Sequence, residues 1–552
     1  MKHSLEVIQD NFHFLLTEVQ AQVQRAHKLM VTPDLSLPSK IKNKESYINN
    51  LKTIIENDCF ERIHEGPNLD KHELNLLRAT LSMVANLERI ADVCVNIVNQ
   101  LDYIKEDAFV REEEYSPMFK LIESSLGKVS PALHRHSLSQ ALQICRAELS
   151  LDDLYNTAFQ RQVALLEQDK GQNLDSHLTV LFIYYYLERI GDLLLNIGEQ
   201  IIFAVLEQRI KIEQFDSLQQ TLKASGYKED LENINFQALW GSRSGCHIGK
   251  LDLSEQDTDF EHGSLYKEGE PGKIIKEKEN LDTWNDLFPG LVPRIYGYTK
   301  DSDRSALLLE FLRGHPLNEL FLATDDKTIQ DVLHCIEQTM GNIWNNTCEN
   351  GPIATDYMSQ LQARMEDVLK VHPDMKRSRL GIGKTPVLST ESLILRCAQI
   401  EAFLPAPFSV RIHGDFNTNN ILYDYETKSV HYIDLYRSRQ YDYVQDASVF
   451  IVSNFRVPTS DIELCRKLNL IIAHFYNWVC VFAKQKEDAT FKARMALALA
   501  RSFFTSARFE NQDNLAKEMF MRSIFLLESI YQFEQKNMPW EQFSFPDEIL
   551  FI

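Results

Sequence analysis

The strongest constraint on this chain is an internal repeat. The segment Leu87-Glu-Arg-Ile-Ala-Asp-Val-Cys-Val-Asn-Ile97 returns 100 residues later as Leu187-Glu-Arg-Ile-Gly-Asp-Leu-Leu-Leu-Asn-Ile197, identical at seven of eleven positions. A fixed period of this kind marks a duplicated supersecondary unit, and the offset leaves room for three helices per copy. Around both copies apolar residues recur at three and four, as in Ile55, Cys59 and Ile63 or Leu74, Leu77, Leu81 and Val84, the period of an amphipathic helix. Gly and Pro are sparse here and no segment alternates as a strand does. Residues 1–212 therefore read as an all-α bundle in two repeats, about 1–110 and 111–212.

The chain has 552 residues, too many for one core, so a second domain is expected. Residues 213–235 are polar and mixed in charge, a linker or connecting helix. From Phe236 short apolar runs alternate with turn residues, and Leu307–Leu312 and Val430–Asp434 are strand candidates. Residues 461–535 return to helical periodicity. A small mixed sheet (about 236–318) followed by a mostly helical part (about 319–552) fits that order.

Charge narrows the partners. With 58 Lys+Arg against 79 Asp+Glu the formal charge is -21, which disfavours nucleic acid and anionic lipid. The longest uncharged apolar run, Leu468–Ala483, is too short for a bilayer, so no membrane insertion is expected. The first ten residues carry acids where a signal peptide needs an apolar stretch. Nine Cys without a C-x-x-C pair read as reduced residues of a cytoplasmic protein.

Glu88, Asp92 and Asn96 share one helix face, as do Glu188, Asp192 and Asn196. Their neighbours are apolar almost all round, which predicts burial, and buried carboxylates need a cation or hydrogen bonds. Hard cations take oxygen ligands; ion pairs to Arg89 and Arg189 are the alternative. The two copies of L-E-R-I-[AG]-D-x-x-x-N-I resemble the signature of the PhoU family, regulators of phosphate uptake and signalling built as tandem three-helix bundles. The resemblance implies that Glu88, Asp92, Glu188 and Asp192 hold a divalent or transition metal. Ten residues before its Leu-Glu the first copy has Leu77-Arg78 and the second His177-Leu178, so the two sites differ.

The most specific stretch is His413-Gly-Asp-Phe-Asn-Thr-Asn-Asn-Ile-Leu422, followed by Val430-His-Tyr-Ile-Asp434. Phosphoryl transfer needs a carboxylate to orient or deprotonate the acceptor hydroxyl, and metal ligands to neutralise the phosphates. Asp415 suits the first role, Asn420 and Asp434 the second; a plain Asn-rich turn would not call for the strand-ending Asp. Residues 236–535 resemble the aminoglycoside phosphotransferase family, small-molecule kinases with a protein-kinase-like, bilobal α+β fold. The resemblance implies ATP and Mg²⁺, with Asp415 as catalytic acid/base, His413 bracing its loop, and Asn420 and Asp434 binding magnesium. The looser Tyr441-Asp442-Tyr-Val-Gln-Asp446 match implies structural supports. Gly241-Ser-Arg-Ser244-Gly245 is the candidate phosphate-covering loop. Lys267, with Glu277 as its helix partner, is the candidate ATP-positioning lysine, in competition with Lys273 and Lys276.

Two functions are weighed. The first is an ATP-dependent phosphotransferase acting on a small-molecule hydroxyl, fused to a PhoU-like metal-binding regulatory domain. The second is a phosphate-homeostasis regulator whose kinase-like half senses nucleotide without catalysis. In either, the helical domain is expected to meet a protein partner in phosphate signalling or a second copy of the chain.

Overall fold

The computed structural model describes the chain apart from residues 1–4, 33–35, 66–68, 104–111, 169–172, 207–211, 226–234, 240–246, 253–262, 301–303, 379, 383–384, 458, 460 and 511. It divides into two units, Met1–Asp259 and Phe260–Ile552. The division falls within the segment expected as the sheet-bearing lobe.

In the first unit the repeat becomes helices. Copy one is α1 (Leu5–Val31), α2 (Leu37–Glu65) and α3 (Lys71–Leu101). Asp70 starts α3 by accepting the Glu73 N–H at 2.7 Å, which satisfies one of the unpaired donors of a helix start. Copy two is α4 (Glu112–His134), α5 (Leu138–Cys145), α6 (Ala147–Gln168) and α7 (Leu174–Leu206). Its middle helix is thus interrupted at Arg146. The break lies where the chain passes close to α7: a Cβ on Gly198 would stand 2.4 Å from Cys145 Sγ and 2.9 Å from the Ala141 carbonyl. The repeated segments lie on α3 and α7, which pack together. Each of residues 87–100 has the same burial class as its counterpart in 187–200. One pattern of apolar residues has produced one burial pattern twice. Helix α8 (Ile212–Ala224) follows, then strands β1 (Asn235–Leu239) and β2 (His247–Asp252), antiparallel with Asn235 opposite Asp252.

The second unit opens with β3 (Ser264–Gly269), α9 (Pro271–Leu287), β4 (Ile295–Lys300) and β5 (Ser305–Glu310). Strand β5 pairs antiparallel with both β3 and β4. Next come β6 (His315–Pro316), α10 (Leu317–Ala323), α11 (Asp326–Asn346), β7 (Glu349–Ile353), α12 (Tyr357–Val371), β8 (Leu380–Ile382), β9 (Thr385–Val387) and α13 (Thr390–Glu401). Four short strands then carry the motif region: β10 (Ala406–Ile412), β11 (Ile421–Asp424), β12 (Ser429–Tyr432) and β13 (Arg439–Tyr441). The unit closes with α14 (Val444–Phe455), α15 (Ile462–Gln485), α16 (Phe491–Ser506) and α17 (Asp513–Glu534). The small sheet followed by helices matches the order read from the sequence. The aromatics Phe475, Phe503 and Phe504 are buried in this helical core.

Candidate functional site

Strand β3 ends at Gly269, and Pro271 opens α9 with its φ already set for a helix. This short turn puts Glu277 beside Lys267. The Lys267 ammonium is 2.7 Å from Glu277 Oε1, 2.6 Å from Oε2 and 2.8 Å from Asp434 Oδ1. Its side chain is 4% exposed. Burial works against the charged ammonium, yet Glu277 and Asp434 outweigh it and hold its pKa above the ordinary lysine value. Asp434 is half-buried; desolvation raises its pKa, but Lys267 outweighs that and holds it below the usual carboxylate range, whereas burial prevails at Glu277 and raises it. The competitor Lys273 instead pairs with Glu270 at 3.0 Å and is 42% exposed.

The His413–Leu422 motif forms the turn between β10 and β11. Gly414 has φ +86°, and a Cβ there would meet the Arg437 carbonyl at 2.3 Å, so only glycine fits. Asp446, at the start of α14, accepts the N–H groups of His413 (2.7 Å) and Gly414 (2.9 Å). The fully buried His413 ring spans two backbone groups: Nε2 donates to the Ile433 carbonyl at 3.0 Å and Nδ1 accepts the Asp415 N–H at 3.3 Å. Those partners fix the tautomer, and burial pushes the ring pKa down. His413 is a positioning residue for Asp415. The Asp415 carboxylate pairs with Arg437, Nη1 to Oδ2 at 3.0 Å, and accepts from Asn417 Nδ2 at 3.2 Å.

Asn420 Nδ2 donates to the Asp415 carbonyl at 3.0 Å, and the Asn420 carbonyl accepts the Ile433 N–H at 3.0 Å. One residue past Ile433, Asp434 turns into the left-handed region, φ +65°. The loop therefore ties Asp415, Asn420 and Asp434 into one hydrogen-bonded set, with Lys267 reaching it from β3. The amide oxygen of Asn420 and the carboxylate of Asp434 are hard oxygen donors, the kind Mg²⁺ takes. Gly241, Ser244 and Gly245 lie outside the described residues.

Below the motif a buried network supports it. Arg494 on α16 is fully buried between Asp442 and Asp488. Tyr357 donates to Asp442 at 2.9 Å, and Tyr443 to Asp488 at 2.8 Å. Asp442 thus holds Arg494 and Tyr357, and Asp446 holds the backbone of the motif turn. Arg437, Arg494 and Arg501 were not singled out from the sequence. For Arg437 a local signal existed, three residues after Asp434; for the other two there was none.

On the bundle, Glu88, Asp92, Glu188 and Asp192 are half-buried, while Arg89, Asn96, Arg189 and Asn196 are exposed. This corrects the expectation that these helices are buried on every side: the repeat face is a margin of the core. Glu88 pairs with Lys52 at 3.3 Å, and Asp192 with Arg189 at 2.7 Å. Burial, then the charge of Glu88, raises the Asp92 pKa. Burial and the charges of Asp192, Asp152 and Glu148 raise that of Glu188. Glu188 Oε2 and Asp152 Oδ1 are buried without a hydrogen-bond partner. Orphaned carboxylate oxygens fit a cation. Even so, among the described residues no three His, Cys, Asp or Glu side chains are grouped as a formed metal site.

Comparison with known proteins follows the same division. Residues 14–101 and 115–201 match the PhoU domain family, and residues 330–464 the ecdysteroid kinase-like family. The phosphate-specific transport system accessory protein PhoU of Serratia marcescens is 28% identical over 219 residues, covering 38% of this chain and 86% of that protein. The crystal structure of PhoU from Pseudomonas aeruginosa is 24% identical and covers 37% of this chain and 98% of its own, with TM-score 0.35. An aminoglycoside phosphotransferase from Streptomyces rimosus, solved with ADP and streptomycin, is 16% identical and covers 53% of this chain and 98% of its own, with TM-score 0.35. The chain thus carries PhoU domains in its N-terminal half and is kinase-like in its C-terminal half.

Proposed function

We propose that this protein is an ATP-dependent phosphotransferase acting on the hydroxyl of a small molecule, with its PhoU half as a metal-binding regulatory domain. The observation that carries the reading is the contact of Lys267 with both Glu277 and Asp434, beside a loop that fixes Asp415 and Asn420. A lysine paired with a helix glutamate beside a metal-ligating aspartate is the arrangement that kinases of the protein-kinase type use for phosphoryl transfer. Lys267 would hold nucleotide phosphates, and Asn420 and Asp434 would hold Mg²⁺. The ion, when bound, neutralises the charge that builds on the phosphates.

Asp415 acts on the acceptor. Its carboxylate takes the hydroxyl proton as the acceptor oxygen bonds to the γ-phosphorus. The bond between that phosphorus and the β,γ-bridging oxygen breaks, and ADP leaves with the electron pair. Arg437 holds the carboxylate in place. His413 and Asp446 fix the backbone from which it projects.

In the bundle, the orphaned oxygens of Glu188 and Asp152 support a divalent or transition metal at the second copy. At the first copy Lys52 competes for Glu88, and at the second Arg189 competes for Asp192. A partner in phosphate signalling, or a second copy of the chain, would meet this half. We place the protein in the cytoplasm, since each described cysteine is free and no described helix is long and apolar enough to cross a membrane.

Calorimetric titration of Mg-ATP into wild type and Asp434→Asn, alongside ATP turnover, tests the reading. Magnesium-dependent binding with turnover in wild type, both lost in the variant, is the expected result. Absence of binding in wild type would overturn it.

A further inference from the structure

The C-terminal helices bring further positive charge to Asp415. Arg437 pairs with it directly, and two more arginines act on it from the segment after Arg494. Arg501 lies seven residues beyond Arg494 on α16, two turns along the same face. Arg508 lies in the 3₁₀ turn Ala507–Phe509 that follows.

The two buried arginines of α16 are treated differently. Arg494 is clamped by Asp442 and Asp488. Arg501 is 8% exposed, yet its Nε and Nη2 are buried and have no hydrogen-bond partner. Its guanidinium sits 5.8 Å from the Tyr357 ring centroid, but the Tyr357 hydroxyl already donates to Asp442, and that of Tyr441 to Asp356. Arg508 repeats the arrangement. Its Nη1 is buried without a partner, and its guanidinium lies 4.3 Å over the Phe509 ring. Neither forms an ion pair with Asp415 among the described residues.

An arginine does not shed its proton, so each orphaned N–H carries the full desolvation penalty of a charged donor left without a partner. Burial pushes both guanidiniums below the ordinary arginine value, and Arg437 adds to it. The neighbouring Arg364 is spent on Asp367 at 3.2 Å. In a chain of net charge -21, the carboxylates that act on Arg501 and Arg508 are already engaged: Asp415 by Arg437, Asp367 by Arg364, and Asp446 by two backbone N–H groups. A bound anion would satisfy the orphaned donors by the paired hydrogen bonds that guanidinium makes best.

We propose that Arg501 and Arg508 bind an anionic group on the phosphoryl acceptor, which is therefore a small hydroxylated molecule carrying a phosphate or carboxylate. Its hydroxyl lies at Asp415, and that part rests on the kinase reading above. A cationic acceptor would meet like charge here.

The test uses the full chain, saturated with a non-hydrolysable Mg-ATP analogue so that the nucleotide's phosphate site is filled. Inorganic phosphate, acetate and choline serve as phosphate, carboxylate and cationic probes, with binding followed by calorimetry and ³¹P line width. Phosphate or acetate should bind and choline should not. Arg508→Gln should weaken the anion at least about tenfold, with the nucleotide Kd changed less than about twofold. Arg501→Lys keeps the charge but loses the fork, and should weaken it too; melting curves establish that each variant folds.

Anion binding that is absent, or unchanged in a folded Arg508→Gln protein, overturns the proposal, as does choline binding in preference to both anions. If the anion binds through Arg508 while Mg-ATP neither binds nor turns over, the anion site stands and the kinase reading fails. Mg-ATP turnover with an uncharged or cationic acceptor alone leaves the kinase reading and removes this one.

Discussion

Lys267 shows how a single residue carries both stability and function. Its ammonium is taken out of water and repaid only by two carboxylates within 2.8 Å. Removing one member of such a buried set leaves uncompensated charge behind. Lys267→Met should therefore lower unfolding free energy by about 3–5 kcal/mol in urea melts and abolish Mg-ATP binding in the fraction still folded. Asp446 gives the pH dependence. Burial pushes its carboxyl up to about 7, against the pull of two backbone N–H groups. A pKa raised in the folded state means that its contribution to stability is complete below the ordinary carboxylate range and is lost as pH rises through about 7. Wild type should lose Tm between about pH 4 and about pH 7, and Asp446→Asn should show a flatter profile over that window.

Among the elements, the two long helices α3 and α7 repeat one another in burial but not in packing. Where α3 carries Val98, α7 carries Gly198, and α5 comes within 2.4 Å of where its Cβ would be. Glycine inside a helix costs about 1 kcal/mol in propensity, so close packing is the reason for it. Gly198→Val copies the first repeat into the second and gains part of that propensity, but it forces α5 away. Overpacking of this kind typically costs about 1–3 kcal/mol. The net effect expected is a lower melting temperature; a raised one would mean α5 moves freely. The middle helix breaks at Arg146 in the second copy alone, beside this contact. Nothing in the spacing of its apolar residues announces the break, because the cause sits on another helix.

At the scale of the whole molecule, two units with separate cores should respond separately to their ligands. Calorimetry should show two unfolding transitions. Mg-ATP should raise only that of the C-terminal unit, by about 2.7 kcal/mol at a hundredfold excess over Kd, and a divalent or transition metal only that of the N-terminal unit. A single transition moved by both would show instead that the halves unfold as one. That the chain joins a helical repeat to a mixed domain was legible in the sequence, since the repeat period, the helical spacing of 1–212 and the change of pattern after it are local signals; the division at Asp259 was not. The core of the candidate site was legible too, for Asp415 and Asn420 sit five residues apart on one loop and Asp434 follows a strand. The choice of Lys267 over Lys273 and Lys276 was harder, because its partner Asp434 lies 167 residues away. The unpaired arginines were beyond reach. An arginine in a helix reads as solvated until the fold decides what covers it, and what is left unpaired near Asp415 depends on α12, α16 and the turn after it meeting in space. Sequence alone determined the periodicities, the two kinds of domain and the loop that carries the carboxylate. Tertiary structure decided which charges are buried and which of them find a partner, because desolvation depends on everything packed around a group and not on its neighbours along the chain.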